Sequence, residues 1–122
     1  TRDLGRYLRM FVADSRCVVA VKNDVICGFG SITLERSRLA SLFMHSDYAG
    51  KGIGKLLLQN LERIAEDSGI AALHVSASLN ARDFYERQGY KTIAMGKHRF
   101  ADGLEMACVE MLKSLRALDR SQ

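Results

Sequence analysis

Three glycines at alternate positions, Gly50, Gly52 and Gly54, lie between the apolar run Leu42-Phe43-Met44 and a helical pattern that opens near Ile53. Lys51 and Lys55 add positive charge to the same stretch. A strand, a glycine loop and a helix in that order place backbone N–H groups and the positive end of a helix around an anion, so the chemistry expected here is phosphate binding. Two common nucleotide templates do not fit. The mononucleotide loop G-x-x-x-x-G-K-[ST] meets Ala49 at its first glycine and Leu56 where a hydroxyl should bind magnesium. The dinucleotide fingerprint G-x-G-x-x-G, begun at Gly50 or Gly52, ends on Lys55 or Leu57.

Proton-handling groups are sparse. His45, at the end of the strand before the loop, is the best-placed base, since an imidazole ordinarily titrates near 6.5. His74, His98, Glu35 and Glu105 have weaker claims. Cys17, Cys27 and Cys108 are scattered and form no C-x-x-C pair, so they read as reduced core residues and no metal site is expected.

The elements that must carry these groups follow from periodicity. Leu4, Tyr7, Leu8, Phe11 and Val12 are spaced for a short helix over residues 4–13. Residues 17–21 and 25–32 read as a hairpin around Asn23-Asp24, with Gly28 and Gly30 marking a bulge or a close approach. A third strand over 37–45 enters the glycine loop, and the helix over 52–67 buries Ile53, Leu56, Leu57, Leu61, Ile64 and Ala65 before stopping at Gly69. Residues 71–77 form the returning strand of a βαβ unit. Asn80 caps a second helix over 81–88 that ends at Gly89, and two strands, 90–95 and 105–112, turn near Asp102-Gly103. The order αββ-βαβ-αββ gives a mixed-sheet α/β domain. The chain is polar from Ser114 on, and 116–122 reads as a C-terminal tail.

At 122 residues the chain is expected to be one domain, 1–115, with that tail. Hydrophobic residues make up 48% and charged residues 26%, ordinary for a soluble globular protein. No apolar run reaches the ~20 residues of a membrane span. No signal peptide opens the chain, so a cytoplasmic location without membrane contact is expected. The net charge of +4 suits an anionic ligand but is too mild, and too interleaved with acids, for nucleic acid. The chain opens at Thr1 without methionine, as a processed or shortened chain would.

Three segments together carry a family resemblance. Gly52-Ile53-Gly54 after Phe43-Met44 resembles the [QR]-x-x-G-x-[GA] acetyl-CoA motif of the GNAT superfamily of N-acetyltransferases. The segment from Asn80 to Tyr90 is similar to that family's N-A-x-x-[FL]-Y-E-x-x-G-[FY], and Met111-Leu112-Lys113-Ser114-Leu115 is similar to its M-x-K-x-L ending. Together they cover most of Val18 to Leu115. Ala49 departs from the pattern, standing where the family has Gln or Arg. The resemblance implies a mixed, splayed sheet flanked by helices, here lacking the family's N-terminal strand and first helix.

It further implies that acetyl-CoA is the co-substrate and that a primary amine of a small molecule or peptide attacks its thioester directly. The implied cofactor contacts are Phe43, Met44, His45, Ala49, Gly50, Lys51, Gly52, Ile53, Gly54, Lys55, Asn80 and Tyr85. Among them the Met44 N–H would polarise the acetyl carbonyl. Tyr85 is the implied general acid for the leaving thiolate, with His45 or a water chain removing the amine proton. A homodimer is left open, and a non-catalytic acyl-CoA-binding or regulatory module is the alternative.

Overall fold

The computed structural model describes residues 5–48, 50 and 52–115. The expected helical position Leu4, the expected cofactor contacts Ala49 and Lys51, and the expected tail, 116–122, lie outside the described residues. The chain divides into two compact units, 1–70 and 71–122.

The first unit is an antiparallel meander of β1 (Arg6–Val12), β2 (Ser15–Lys22), β3 (Val25–Thr33) and β4 (Arg38–Met44), followed by α1 (Ile53–Asp67). Asn23 and Asp24 both take positive φ, 54° and 62°. That is the mirror-image turn whose twist matches the strands it joins. Asp14 ties two neighbouring turns together: its carboxylate accepts the Glu35 N–H at 2.9 Å, and its carbonyl accepts the Leu34 N–H at 3.0 Å.

Residues 6–12 are a strand, not the expected helix, so an N-terminal strand precedes the hairpin where none was expected. No α-helix precedes α1 among the described residues. The pattern was ambiguous, because Leu8, Met10 and Val12 also alternate with the period of a strand. A helix of about ten residues is marginal alone. The two-residue turn at Ala13-Asp14 instead lets all of β1 pair with the β-branched β2, from Arg6↔Val21 to Val12↔Ser15.

The glycines of β3 explain how α1 sits against the sheet. A Cβ on Gly28 would lie 3.0 Å from Leu57 Cδ1, and one on Gly30 would lie 2.7 Å from Leu61 Cδ1. Four residues of helix advance about 6 Å and two residues of strand about 6.7 Å. The two leucines therefore fall onto the two glycines in step. Leu58 and Glu62 are also buried, whereas Leu56 is 44% exposed, contrary to expectation. It lines a cavity of about 170 Å³ with Tyr7, Val21 and Cys27. The helix ends as expected, with Gly69 at φ +88° and the Ile70 N–H returning to the Ala65 carbonyl.

The second unit holds β5 (Ala72–Ser78), α2 (Arg82–Arg87), β6 (Lys91–Arg99) and β7 (Glu105–Ser114). β7 lies between the other two strands and is antiparallel to both. Leu73, Val75, Val109, Met111, Tyr85 and Tyr90 are buried here. Ser114 belongs to β7, so the strand runs two residues beyond the expected 105–112, and Leu115 is buried with its N–H on the Ala71 carbonyl at 2.8 Å.

Candidate active site

In the first unit, β4 delivers the chain to the glycine loop. The His45 N–H donates to the Cys27 carbonyl at 2.9 Å, on the β3 side. Backbone groups alternate along an extended strand, so the Met44 N–H points away from β3, at the opposite edge of β4. That is the orientation a donor to a ligand carbonyl needs. The His45 N–H is committed to β3 and is not such a donor.

Beyond β4, Ser46–Tyr48 makes one 3-10 turn, and Gly50 and Gly52 take φ of +77° and +81°. Gly52 is the N-cap of α1 and no side chain caps it. The N–H groups of Ile53, Gly54 and Lys55 therefore open the helix without i−4 partners, at the positive end of a 15-residue macrodipole. No Cβ-blocking atom lies within 4 Å of Gly50 or Gly52, so an anion can approach the backbone closely. Lys55 is exposed beside them.

His45 is partly exposed, and its Nδ1 accepts the Asp47 N–H at 3.1 Å. In the neutral ring that bond occupies the one lone pair, leaving Nε2 as a donor. As arranged, Nδ1 can accept a proton only by releasing the Asp47 N–H, and the Asp47 carboxylate lies 3.7 Å from the same nitrogen. Phe43, next to Met44, is 54% exposed and its ring lies 5.6 Å from that of Phe29.

In the second unit, Tyr85 sits on α2, 7% exposed, with ring centroids of Phe84 and Tyr90 at 5.1 and 5.5 Å in edge-on contact. Burial pushes its phenol up to about 12. Asn80 is not the helix cap. The Ser78 hydroxyl accepts the Ala81 N–H at 3.2 Å, because a 3-10 turn over Leu79–Ala81 precedes α2 and moves the unpaired N–H groups upstream. Asn80 is instead exposed and lines a shallow depression with Leu79 and Met106.

One constellation escaped the sequence reading. Glu110 on β7 gathers the Ser76 hydroxyl at 2.7 and 2.8 Å, His74 Nε2 at 3.0 Å and the Cys108 thiol at 3.4 Å. The alternation of these residues along β5 and β7 is visible in the sequence, but the pairing Ser76↔Glu110 that joins them is not. Among the described residues no group of three His, Cys, Asp or Glu side chains could hold a metal.

A profile of the acetyltransferase (GNAT) domain matches residues 4–115. The chain belongs to the GNAT acetyltransferase family. A Bacillus subtilis protein named as an acetyltransferase is 28% identical over 81 residues, covering 65% of this chain and 55% of its own length. The crystal structure of a GCN5-related N-acetyltransferase from Rhodopseudomonas palustris matches at a TM-score of 0.78 and 30% identity, over 82% of this chain and 61% of that one. An aminoglycoside 6′-N-acetyltransferase solved with coenzyme A matches at a TM-score of 0.72 over 89% of this chain and 76% of its own. Its 20% identity shows the fold alone. The expected GNAT-like α/β fold is thus borne out, and the GNAT chain spans about half the length of the curated relatives it matches.

Proposed function

We propose that this GNAT chain transfers the acetyl group of acetyl-CoA to a primary amine by direct attack on the thioester. The observation that carries the reading is the uncapped N-terminus of α1, opened by two left-handed glycines immediately after β4. The pyrophosphate of coenzyme A is assigned to the N–H groups from Gly50 to Lys55, with Lys51 and Lys55 adding charge. Ala49 supplies no side-chain contact there, and the backbone donors do not depend on one. Of Phe43, Met44 and His45, only Met44 turns its backbone groups to the edge of β4 away from β3, so Met44 is assigned to the pantetheine arm and its N–H to the acetyl oxygen, where it stabilises developing negative charge.

Asn80 and Tyr85 take their roles from the family resemblance, as a contact to the cofactor arm and as the donor to the leaving sulfur. A phenol near 12 stays protonated across the working pH range, as a donor must. Full transfer to a thiolate whose acid titrates at about 8.5 would be uphill by roughly 5 kcal/mol. Tyr85 is therefore read as a hydrogen-bond donor that stabilises the departing thiolate, with solvent completing the protonation.

The amine is taken to react as its neutral fraction, its proton passing to water. His45 is the alternative acceptor, and a His45→Gln variant with undiminished turnover would remove it. A single domain over 1–115 and a cytoplasmic setting belong to the same reading.

Two measurements test it. Titration with acetyl-CoA should raise the thermal midpoint, and coenzyme A release should appear with some member of a broad amine panel. No thermal response at saturating acetyl-CoA would end the reading. Binding without turnover on any amine would favour the acyl-CoA-binding module.

A further inference from the structure

The two faces of the β1–β4 sheet are unlike. On one, Leu57 and Leu61 of α1 close onto Gly28 and Gly30, and Met44 Sδ and Leu42 Cδ1 lie on that same side. The register places Phe29 opposite Phe43, Val19 opposite Phe29, and Leu8 opposite Val19, all on the other face. There the Phe29 and Phe43 rings meet at 5.6 Å with 39% and 54% of their surfaces exposed, and Leu8 is 48% exposed.

This matters for the approach of the amine. If the acetyl carbonyl lies on the Met44 N–H, as proposed above, its carbon is reached from one side of the sheet or the other. The α1 side is filled by Met44, Leu42 and the two leucines, so a nucleophile comes over the side bearing Phe43 and Phe29. The charge on these strands selects further. β1 to β4 contain no Asp or Glu at all, and their charged side chains are all Arg or Lys. A polycationic acceptor finds no counter-charge on the strands, and the hydroxyls that the register sets beside the aromatic pair, those of Ser31 and Ser41, are already hydrogen-bonded to each other at 2.7 Å. A flat apolar body carrying a single amine can cover both rings, and the neutral nitrogen that attacks loses no ion pair by doing so.

We propose that Phe29 and Phe43 form the acceptor subsite and that the acceptor class is an arylalkyl monoamine. The inference rests on the acetyl-CoA reading. In the step itself the amine nitrogen bonds to the acetyl carbon, the carbon–sulfur bond breaks, the thiolate leaves as coenzyme A, and the amine proton passes to water.

The experiment measures coenzyme A release by the full chain with 2-phenylethylamine and tryptamine against glucosamine 6-phosphate and kanamycin, at fixed acetyl-CoA. We expect kcat/KM at least tenfold higher for the aromatic amines. Phe29→Ala, at a half-exposed position, should raise the KM for 2-phenylethylamine at least fivefold while far-UV circular dichroism stays unchanged. Equal or better kcat/KM with the sugar phosphate or the aminoglycoside would overturn the aromatic subsite and leave the acetyltransferase reading standing. An unchanged KM in Phe29→Ala would also overturn the subsite. Absence of turnover with every amine would overturn both.

Discussion

Tyr85 is under two demands at once, and its burial bears on both. The edge-on rings of Phe84 and Tyr90 exclude water and push its phenol up to about 12. Replacing it by Phe keeps those ring contacts and removes only the hydroxyl. We therefore expect Tyr85→Phe to bind acetyl-CoA nearly as well as the parent and to lose roughly tenfold in kcat, below the ~10²–10⁴ of a full proton transfer because only a hydrogen bond to the departing thiolate is removed. Unchanged kcat would dismiss the donor role. The same shift acts on stability. In the unfolded chain the phenol ionises near 10, whereas the folded one holds its proton to about 12, so its contribution is complete below pH 10 and is lost as pH rises toward 12. Two units correspond to about 2.7 kcal/mol. Urea unfolding between pH 8 and 11.5 should fall more steeply for the parent than for Tyr85→Phe, and parallel curves would refute the assignment.

At the level of elements, two kinds of glycine do different work. Gly28 and Gly30 are small because α1 lies on them, and Gly50 and Gly52 are glycine because the loop needs positive φ. Gly30→Ala puts a carbon 2.7 Å from Leu61 Cδ1 and 3.1 Å from the Ser41 carbonyl oxygen, an overpacking that costs about 1–3 kcal/mol. Gly52→Ala meets nothing within 4 Å but must hold a left-handed backbone, at about 1–2 kcal/mol. Both should lower the urea midpoint, and Gly52→Ala alone should also weaken acetyl-CoA binding. A Gly30→Ala protein as stable as the parent would contradict the close approach. These glycines also show what a sequence can disclose. The turn at Asn23-Asp24, the loop at Gly50 and Gly52 and the stop at Gly69 are backbone requirements written in single residue types, and all were legible. Where the information lies in pairing, it was not. Residues 6–12 suit two periods, and only β2 decides between them. Ser78 takes the cap assigned to Asn80 because a 3-10 turn over Leu79–Ala81 begins the helical stretch upstream of α2. The Glu110 cluster needs the β5–β7 register, and the Phe29–Phe43 face needs that of β3 and β4.

Over the whole molecule the question is whether the two compact units fold as one. Below roughly 70–80 residues a single core rarely supplies more than a few kcal/mol. The division at Ile70 leaves neither unit comfortably above that size. Alone, each would be marginal, so we expect the chain to melt in one calorimetric transition whose enthalpy, about 0.7 kcal/mol per residue near 60 °C, matches the van't Hoff value. Acetyl-CoA supplies the sharper version of this test. At one hundred times its dissociation constant a ligand bound only by the folded chain adds about 2.7 kcal/mol. If the glycine loop of the first unit and Tyr85 of the second serve one cofactor in one cooperative domain, that increment moves the whole transition upward together. Two resolved transitions, with only the one belonging to residues 1–70 responding to acetyl-CoA, would show a phosphate-binding unit that folds independently of the rest. The single-domain reading would then fall even with the cofactor bound.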